Sequence, residues 1–443
     1  MRAVILAAGA GSRIRQYTKK AKPLLNLLGL SLIERNILSL RECGIWDFVI
    51  ITGCYKKEIE EYLGNGSKYK VRISYLHNPQ WQLGNGGSAY TFRQLYQAGE
   101  NYILTMADHI FNLEDLKSFV QAAGSTGPEE ILLAADKRLA RVWDVRESTK
   151  IKSDGNNVLK LGKELQDFNA IDCGIFAGTE ALLNALAEAI ARQDYSLTAA
   201  VNILAAQGRV KLHFFSEDWI DVDDMAAYRH AEKILLRSLL PAKDGIISRT
   251  INRKISLPIT KLLSKTAITP NQATLLSFIA ALAAAVSFAW QQPWLGGILA
   301  QFASVLDGVD GEIARLKYSQ SNYGGLFDAI LDRYADFFIV IGMAWAWFLK
   351  NQSLAVLLIS AAALAGLPMS MLIKEKYHAL TGKTYIPWLN DGLFRYLPTN
   401  RDGRLFLIML GGIFNQIPAT LIVLAVTTHL QSVGRLIRLR RIL

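Results

Sequence analysis

The chain has 443 residues, 51% of them hydrophobic, and a formal net charge of +11. This length allows two or three domains with cores of their own. The apolar excess begins only after about residue 273, which argues against a uniformly soluble chain. Basic charge suits nucleic acid or a membrane surface, and its position beside apolar segments favours the membrane over nucleic acid. The three cysteines lack metal-ligand spacing, so we expect reduced thiols.

In the first half, up to about residue 240, short β-rich runs alternate with amphipathic helical runs. This alternation predicts a mostly parallel sheet covered by helices, with ligands at the carboxyl ends of the strands. No signal peptide precedes the first strand, so we expect this half in the cytoplasm. The predicted strands are residues 3–7, 48–52, 71–75, 102–106 and 131–135. The predicted helices are residues 31–42, 58–63, 88–98 and 113–122.

A glycine-rich turn, Leu-Ala-Ala-Gly-Ala-Gly-Ser-Arg, directly follows the first strand, and a Lys-Pro-Leu segment comes shortly after it. Backbone amides in such a turn can hold phosphates, and the two basic side chains add charge. A third glycine is missing, which argues against a dinucleotide-binding turn. A plain tight turn is the alternative. The residues that we expect on the phosphates are Gly9, Gly11, Ser12, Arg13 and Lys22.

Taken together, these two segments resemble the nucleotidyltransferase family that makes NDP-sugars and CDP-alcohols. The resemblance implies a metal-binding aspartate at the end of a strand, which Asp108 matches, and a second one, which Asp223 matches. Asp221 and Asp224 lie close enough to Asp223 to leave that choice open. Two such carboxylates can hold Mg²⁺ against the phosphates of a nucleotide. His109 is interpreted as a structural neighbour.

The same resemblance implies positions for the base and the acceptor. Residues 84–88 resemble the family's base-recognition loop, with Gly87 and Ser88 on a pyrimidine, although a simple glycine turn is the alternative. Lys163 resembles the acceptor-phosphate lysine and Asp172 the aspartate on the acceptor's hydroxyls. The implied reaction is attack of an alcohol phosphate on the α-phosphate of CTP with release of pyrophosphate.

Residues 241–272 interleave basic and aliphatic side chains. This composition is typical of a helix lying in the membrane interface, with its basic face on anionic head groups. A solvated helix between domains is the alternative. We therefore expect a nucleotidyltransferase domain over residues 1–240, a basic juxtamembrane linker over 241–272 and a membrane domain over 273–443.

The apolar segments of the second half predict six membrane spans. The fold class that we expect is an α/β Rossmann-like domain followed by an all-α membrane domain of six transmembrane helices. Most basic residues of its loops fall on one side, and only Lys350 on the other. By the positive-inside rule this places both termini and the first half in the cytoplasm. The fifth span is short for a full crossing. The spans are residues 273–290, 294–315, 324–348, 354–373, 404–414 and 417–433.

Four aspartates stand between apolar segments of this half. Asp307 and Asp310 share one helix face, and Asp328 and Asp332 share another. Ionisable groups in an apolar setting are costly and point to function. Carboxylate oxygens suit Mg²⁺, usually together with substrate phosphates. A charged loop between two ordinary helices is the alternative.

The segment resembles the signature of the CDP-alcohol phosphotransferase family, D-x2-D-G-x2-A-R-x8-G-x3-D-x3-D, at every specified position. The resemblance implies metal ligation by Asp307, Asp310 and Asp328. It also implies that Asp332 is the general base for attack on the β-phosphate of a CDP-alcohol, with CMP leaving, although a second-ligand role stays open. The matching residues are Asp307, Asp310, Gly311, Ala314, Arg315, Gly324, Asp328 and Asp332.

Other residues of this half receive roles from their chemistry or from the same resemblance. Arg401 and Arg404 suit the phosphate of a phosphorylated acceptor, although ordinary positive-inside anchoring is the alternative. Arg333 and Asp336 are predicted to form a structural pair. The residues expected to face the CDP moiety are Asn271, Gly311, Ala314 and Arg315.

The order of the two halves resembles a family of bifunctional enzymes in which the first domain makes a CDP-alcohol and the second consumes it. That resemblance alone implies inositol-1-phosphate as the alcohol phosphate. We also expect one Mg²⁺ per domain, which Mn²⁺ can replace, and a homodimer through the membrane domain. Two alternatives stay open. The membrane half could be a phospholipid synthase with a lipid acceptor or CDP-diacylglycerol, and the first half could bind nucleotide without turnover.

Overall fold

The computed structural model describes residues 1–15, 18, 20–241, 245–392 and 400–440. Residues 242–244 of the predicted linker lie outside the described residues. The chain divides into two compact units, Met1–Ser238 and Leu239–Leu443.

Over the residues that the structure describes, the first unit has thirteen strands, nine of which form one sheet. The order across this sheet is β5-β4-β1-β6-β11-β8-β12-β10-β9. The strands are β1 Arg2–Ala7, β2 Asn26–Leu27, β3 Leu30–Ser31, β4 Asp47–Thr52, β5 Arg72–His77, β6 Tyr102–Met106, β7 His109–Ile110, β8 Ile131–Asp136, β9 Lys150–Asp154, β10 Asn157–Gly162, β11 Ala170–Gly178, β12 Val210–Phe214 and β13 Ile220–Asp221.

The sheet is mixed, whereas the sequence predicts a mostly parallel one. Strands β5, β4, β1 and β6 are parallel, but β11 runs antiparallel between β6 and β8. Beyond it, β12 is parallel to β8, and the last two pairings are antiparallel. The α/β class is confirmed. The Rossmann-like arrangement is also confirmed for β5, β4, β1 and β6, which stay parallel whatever the direction of the later strands.

Strand β1 places the functional edge of this sheet. Its residues from Ala3 to Ala7 are all at most 7% exposed, because apolar side chains fill both faces of a central strand. It pairs with β6 so that Leu6 lies opposite Met106, and the amide of Ala107 donates to the carbonyl of Leu6. The turn after β1 and the residues after β6 therefore meet at one edge.

Helices cover this sheet, and one predicted helix differs in its bounds. The run predicted over residues 88–98 is a short helix followed by a tighter turn over Thr91–Gln94. It begins earlier because the Asn85 side chain accepts from the Leu197 amide, and it tightens where buried Phe92 packs on Tyr102. The helices are α1 Ser12–Arg15, α2 Leu32–Glu42, α3 Lys56–Leu63, α4 Asn85–Tyr90, α5 Leu113–Ala123, α6 Glu180–Ala191, α7 Leu197–Ala205 and α8 Met225–Ser238.

The second unit is helical over the residues that the structure describes. Three of its helices, α10, α13 and α16, are long and apolar enough to cross a membrane. Helices α11 and α12 carry the acidic segment, and α15 has 13 residues. The helices are α9 Arg253–Leu263, α10 Pro270–Ala289, α11 Pro293–Leu316, α12 Asn322–Lys350, α13 Leu354–Thr381, α14 Pro387–Asn390, α15 Arg401–Ile413 and α16 Ile417–Leu439.

Small residues let these helices approach closely. A Cβ added at Gly342 of α12 would lie 2.3 Å from the carbonyl oxygen of Ala285 in α10, so only glycine fits there. Around this contact, Phe288, Ile339 and Met343 are fully buried in one apolar cluster. Helices α10, α11 and α12 pack together in this cluster. Two of them, α11 and α12, carry the acidic segment.

A buried ion pair fastens the segment after α13 to the last helix. Asp391 and Arg435 each expose 1% of their side chains, and Arg435 Nη2 lies 2.6 Å from Asp391 Oδ2. Tyr385 donates its hydroxyl to Asp391 Oδ1 at 2.6 Å, and Arg435 Nη1 donates to Ser370 Oγ at 2.6 Å. The charges are therefore paired and hydrogen-bonded, as burial requires.

We expect Asp391→Asn to destabilise the second unit strongly, because it leaves the Arg435 charge buried without its counter-ion. Loss of one partner from a buried pair costs about 3–5 kcal/mol, or roughly 6–20 °C in the thermal midpoint of a unit this size. Thermal unfolding of the detergent-purified protein measures this. As a control, Asp167→Asn removes the exposed partner of Lys152 and should change the midpoint little. Equal midpoints for the two variants would contradict the prediction.

Candidate active sites

A cavity of about 430 Å³ opens at the edge where β1 and β6 end. A smaller cavity of about 250 Å³ adjoins the same turn and is lined by Gly11, Ser12 and Lys22. The structure thus brings together most of the residues that the sequence predicts for this half. Those that line the larger cavity are Gly9, Arg13, Ser88, Lys163, Asp108, Asp172, Asp221 and Asp223.

Gly87 is placed differently from the other predicted residues. Its amide N–H donates to the carbonyl of Tyr195 at 3.2 Å, and the neighbouring Gly86 amide donates to the same carbonyl at 2.8 Å. These bonds pin the start of α4 to the segment before α7. Ser88 is buried and accepts at its Oγ from the Asn78 side chain at 3.0 Å. The loop is therefore ordered by contacts of its own.

Lys22 is the positive centre of the first site. Its side chain is 9% exposed, and its Nζ lies 2.6 Å from Asp108 Oδ2, 2.5 Å from Asp223 Oδ1 and 3.7 Å from Asp221 Oδ1. Burial alone would lower the pKa of Lys22, but the three carboxylates outweigh it and raise the pKa well above its usual value. Lys22 is therefore charged at neutral pH, and it holds the acidic residues at one place.

Asp108, His109 and Asp221 have ligand atoms within 4.8 Å of one another. Asp221 Oδ1 is buried without a hydrogen-bond partner among the described residues. Burial, with the repulsion of Asp108, raises the pKa of Asp221 to about 6. An oxygen in this state fits a divalent cation, which would satisfy it and neutralise the pair. His109, interpreted from the sequence as a structural neighbour, belongs to this group.

Asp223 is placed outside this group. It contacts Lys22 and lies 3.3 Å from Arg13, whose other nitrogen contacts Glu147 at 3.0 Å. The pairing of β13 with β7 sets Asp221 opposite His109. The geometry thus favours Asp221, the alternative that the sequence left open, as the second carboxylate. Glu147 belongs to no motif, so no pattern in the sequence pointed to it.

The acceptor side of the first site contains a carboxyl group with a raised pKa. Asp172 lies at the cavity wall and accepts from the amide of Gly174 at 2.7 Å. Burial raises the pKa of Asp172 to about 6, although that hydrogen bond and His109 oppose the shift. Between about pH 4 and pH 6 the folded state therefore binds the extra proton, and its stability falls as pH rises through this window.

We expect the KM for the alcohol phosphate to rise as pH falls below about 6, because protonation removes the charge of Asp172 and weakens the hydrogen bonds that it accepts from hydroxyl groups. A hydrogen bond to a charged group contributes about 1.5–3 kcal/mol, or roughly 10–100-fold in KM. Steady-state pyrophosphate release against pH measures it. The substrate phosphate titrates in the same range, so Asp172→Asn supplies the baseline. An identical pH profile in that variant would contradict the prediction.

In the second unit a cavity of about 520 Å³ is lined by Asp307, Asp328 and Asp332. Their carboxylate oxygens lie within 4.8 Å of one another, so α11 and α12 bring these three side chains to one point. Asp328 Oδ1 is buried without a hydrogen-bond partner among the described residues. Oxygen ligands with one unsatisfied member fit a hard divalent cation.

Asp310 adjoins this group without belonging to it. Thr274 of α10 donates its hydroxyl to Asp310 Oδ2 at 2.5 Å, and the amide of the neighbouring Gly311 donates to Asp310 Oδ1. Its side chain is therefore oriented by α10 and by its neighbour. The sequence analysis assigns Asp310 to the metal and Asp332 to the general base. The structure instead groups Asp332 with Asp307 and Asp328, and Asp310 lies beside them.

Arg401 lies among the acidic residues. Its Nη1 is 2.6 Å from Asp307 Oδ1 and 2.9 Å from Asp332 Oδ1, and its Nε is 3.2 Å from Asp336 Oδ1. Arg404 is 2.7 Å from Asp336 Oδ2. Both guanidinium groups are thus paired with carboxylates, and only 15% of the Arg401 side chain and 7% of the Arg404 side chain are exposed. This argues against the alternative that they only anchor the chain at the membrane surface.

The predicted pair of Arg333 with Asp336 is wrong. Arg333 Nη1 lies 3.3 Å from Asp332 Oδ2, whereas Asp336 binds the arginines of α15. The spacing of three residues would allow this pair within α12, but Asp336 is already bound by Arg401 and Arg404 of α15. The four-residue spacing of Asp328, Asp332 and Asp336 can be read from the sequence. The helix that supplies the partner of Asp336 cannot.

The residues predicted to face the CDP moiety lie outside the 520 Å³ cavity. A Cβ at Gly324 would lie 3.3 Å from Asn271 Oδ1, and one at Gly311 would lie 3.1 Å from Arg315 Nη1. Asn271 and Arg315 therefore each approach a glycine of the signature. The cavity also contains Lys374 and Tyr385, which the sequence did not single out for binding because they belong to no motif.

Comparison with known proteins agrees with this division. Residues 2–238 match the nucleotidyl transferase family, and residues 267–431 match the CDP-alcohol phosphatidyltransferase family. Three proteins named "Bifunctional IPC transferase and DIPP synthase" are similar along almost the whole chain. The one from Archaeoglobus fulgidus is 32% identical over 93% of this chain and 78% of its own length.

The relatives from Rubrobacter xylanophilus and Thermococcus kodakarensis are each 31% identical. They cover 99% and 97% of this chain, and 96% and 94% of their own lengths. Both acidic sites fall inside the matched regions, and both halves occur in the same order. The chain belongs to the family of bifunctional IPC transferases and DIPP synthases, in which a nucleotidyl transferase domain precedes a CDP-alcohol phosphotransferase domain.

Proposed function

We propose that this chain makes CDP-inositol from CTP and inositol-1-phosphate, releasing pyrophosphate, and then transfers phosphoinositol to a second inositol-1-phosphate, releasing CMP. The product is di-myo-inositol-phosphate-phosphate. The observation that carries this proposal is the presence of two separate acidic groups, each at a cavity, in a chain that matches bifunctional relatives along almost its whole length. The identity of the alcohol rests on those relatives.

In the first step, the turn after β1 binds the triphosphate through its amides and Arg13, and Lys22 adds a fixed positive charge. Asp108 and Asp221 would hold Mg²⁺, or Mn²⁺ in its place, with Asp223 as the alternative second ligand. The bound ion would supply charge neutralisation at the phosphates. Lys163 and Asp172 position the acceptor, and Gly87 and Ser88 lie on the base side. An oxygen of inositol-1-phosphate bonds to the α-phosphorus as the bond to the leaving pyrophosphate breaks.

In the second step, Asp332 accepts the proton of the acceptor hydroxyl while that oxygen bonds to the β-phosphorus of CDP-inositol and CMP leaves. Asp307, Asp310 and Asp328 would hold the second Mg²⁺, although Asp332 lies close enough to be a ligand as well. Arg401 and Arg404 bind the acceptor's phosphate. The residues proposed for the CDP moiety are Asn271, Gly311, Ala314 and Arg315.

The membrane arrangement is also part of the proposal. Three apolar helices support a bilayer location, and we infer six spans, with α11, α12 and α15 completed as spans by burying their polar residues inside the bundle. The first unit, both sites and the C-terminus then face the cytoplasm. Exposed apolar residues on the outer helix faces suit lipid and a second copy of the chain, so we propose a homodimer through the second unit.

The test is an assay of the full chain in detergent with CTP, Mg²⁺ and a panel of alcohol phosphates, following pyrophosphate and CMP separately. We expect both products with inositol-1-phosphate, and CMP without pyrophosphate when CDP-inositol replaces CTP. Removal of divalent ions by EDTA should stop both. A panel arm with CDP-diacylglycerol or a lipid acceptor tests the phospholipid-synthase alternative. Pyrophosphate release with no alcohol phosphate would contradict the first step.

A further inference from the structure

A row of buried polar contacts joins α9, the helix of the predicted linker, to α11, which carries the first half of the signature. Gln301 donates to Asn252 Oδ1 at 2.7 Å, and Asn252 donates to Ser304 Oγ at 3.0 Å. Further along, Arg253 Nη1 donates to the carbonyl of Gly308 at 3.2 Å. The α11 members are spaced three and four residues apart, so they form one face of that helix.

The row ends at Glu312, a carboxylate with 0% exposure. Its Oε1 accepts from Arg253 Nη1 at 2.5 Å and from Ser256 Oγ at 2.6 Å, and its Oε2 accepts from Thr260 Oγ1 at 2.5 Å. All three donors belong to α9. A fully buried carboxylate is costly unless it is paired and hydrogen-bonded in this way. The signature leaves this position unspecified, so the motif gave no reason to single it out.

The contacts enclose the catalytic segment of α11. Arg253 binds the carbonyl of Gly308, which directly follows Asp307, and Glu312 lies two residues after Asp310. Between them, Val309 and Ile313 are buried against Ile259 and Leu263. Helix α9 therefore covers one side of α11 along the whole segment that holds the two carboxylates.

Gly308 shows how close this approach is. A Cβ at this position would lie 2.8 Å from Arg253 Nη1 and 3.8 Å from Ser256 Oγ. The guanidinium group is already held by Glu312, so it could not move aside without breaking that pair. A side chain at position 308 is thus incompatible with the contacts of α9.

We infer that Glu312 and Arg253 are positioning residues of the phosphotransferase step, and that α9 is a part of that active site rather than a tether. They act by fixing the backbone of α11 around Asp307 and Asp310. This inference rests on the proposed function, in which those carboxylates hold the metal of the second step. Arg253 does not pair with lipid head groups at the membrane surface, because its charged end is buried against α11.

The experiment compares wild-type full chain with Glu312→Gln in detergent, using CDP-inositol, inositol-1-phosphate and increasing Mg²⁺. Substituting a residue that orients metal ligands typically weakens metal affinity 10–100-fold. We expect the Mg²⁺ concentration for half-maximal CMP release to rise about tenfold, while pyrophosphate release by the first unit is unchanged. Hydrogen exchange should also become faster in residues 253–263 and stay unchanged in α10, which reports on the contact independently of activity.

Arg253→Met tests whether the two residues act as one unit. It should shift the Mg²⁺ requirement about as far as Glu312→Gln, and the double variant should shift it no further, because both changes break the same contact. Additive shifts would overturn the inference. Asp391→Asn is the matched control, since it breaks another buried ion pair and should lower the thermal midpoint without changing the Mg²⁺ requirement.

A wild-type Mg²⁺ requirement in folded Glu312→Gln would overturn the positioning role, even if exchange in α9 became faster. Should Glu312→Gln fail to fold, Thr260→Val removes one donor and keeps the charge pair, and the same two outcomes apply with a smaller shift. Absence of CMP release from the wild-type protein would overturn the proposed function and this inference with it. Because that result concerns the wild-type protein, it is distinguished from failure of the inference alone, which is seen only in the variants.

Discussion

Asp332→Asn is expected to reduce CMP release by about 10²–10⁴-fold, the usual contribution of a general base, while pyrophosphate release stays at the wild-type rate. The reason is that asparagine keeps the shape of the side chain but cannot accept the proton of the attacking hydroxyl. Asp332 lines the 520 Å³ cavity and lies within 4.8 Å of Asp307 and Asp328. The measurement is CMP formation from CDP-inositol and inositol-1-phosphate, with pyrophosphate formation from CTP as the internal control.

The same variant separates the two roles left open for Asp332. If it is only the base, the Mg²⁺ concentration for half-maximal rate should be unchanged, because Asp307 and Asp328 still hold the ion. If Asp332 is also a metal ligand, the Mg²⁺ concentration for half-maximal rate should rise in Asp332→Asn, as we expect it to rise in Asp307→Asn. Full CMP release from Asp332→Asn would contradict both roles. Arg401 stays in place in either case, since Asp307 and Asp336 also bind it.

The two sites show which features a sequence can locate. The spacing of Asp328 and Asp332 on one helix face and the position of Asp108 after a strand are local properties, so the predictions for these residues agree with their placement. The partners of Arg401 come from helices more than 60 residues away in sequence, and helical periodicity does not encode which helices meet. The wrong pairing of Asp336 has this origin.

The mixed sheet has a related cause. Residues 170–178 are not among the predicted strands, and periodicity does not indicate the direction in which a strand such as β11 enters the sheet. Glu312 was missed for a third reason. Its partners lie on α9, and a position that the signature leaves unspecified carries no functional label, although a carboxylate there needs a partner as much as Asp307 does.

For the first site, Asp221→Asn is expected to lower pyrophosphate release about 10²–10³-fold, whereas Asp223→Asn should lower it only about tenfold. A divalent ion contributes several kcal/mol to charge stabilisation, and 1.36 kcal/mol is a factor of ten. Asp221 ends β13 and Asp223 follows two residues later, and both line the same cavity, so the sequence could not choose between them. The structure supplies the difference, because Asp221 pairs with His109 and has the unsatisfied oxygen.

Asp223→Asn should retain partial activity because Lys22 keeps its contact with Asp108 at 2.6 Å and Arg13 keeps its contact with Glu147. Pyrophosphate release against Mg²⁺ concentration measures both variants. The Asp221→Asn curve should move to higher Mg²⁺ and the Asp223→Asn curve should stay near wild type. CMP release from supplied CDP-inositol is the control for folding of the second unit. The reverse order of the two variants would assign the second ligand to Asp223 and reduce Asp221 to a neighbour held in place by Lys22.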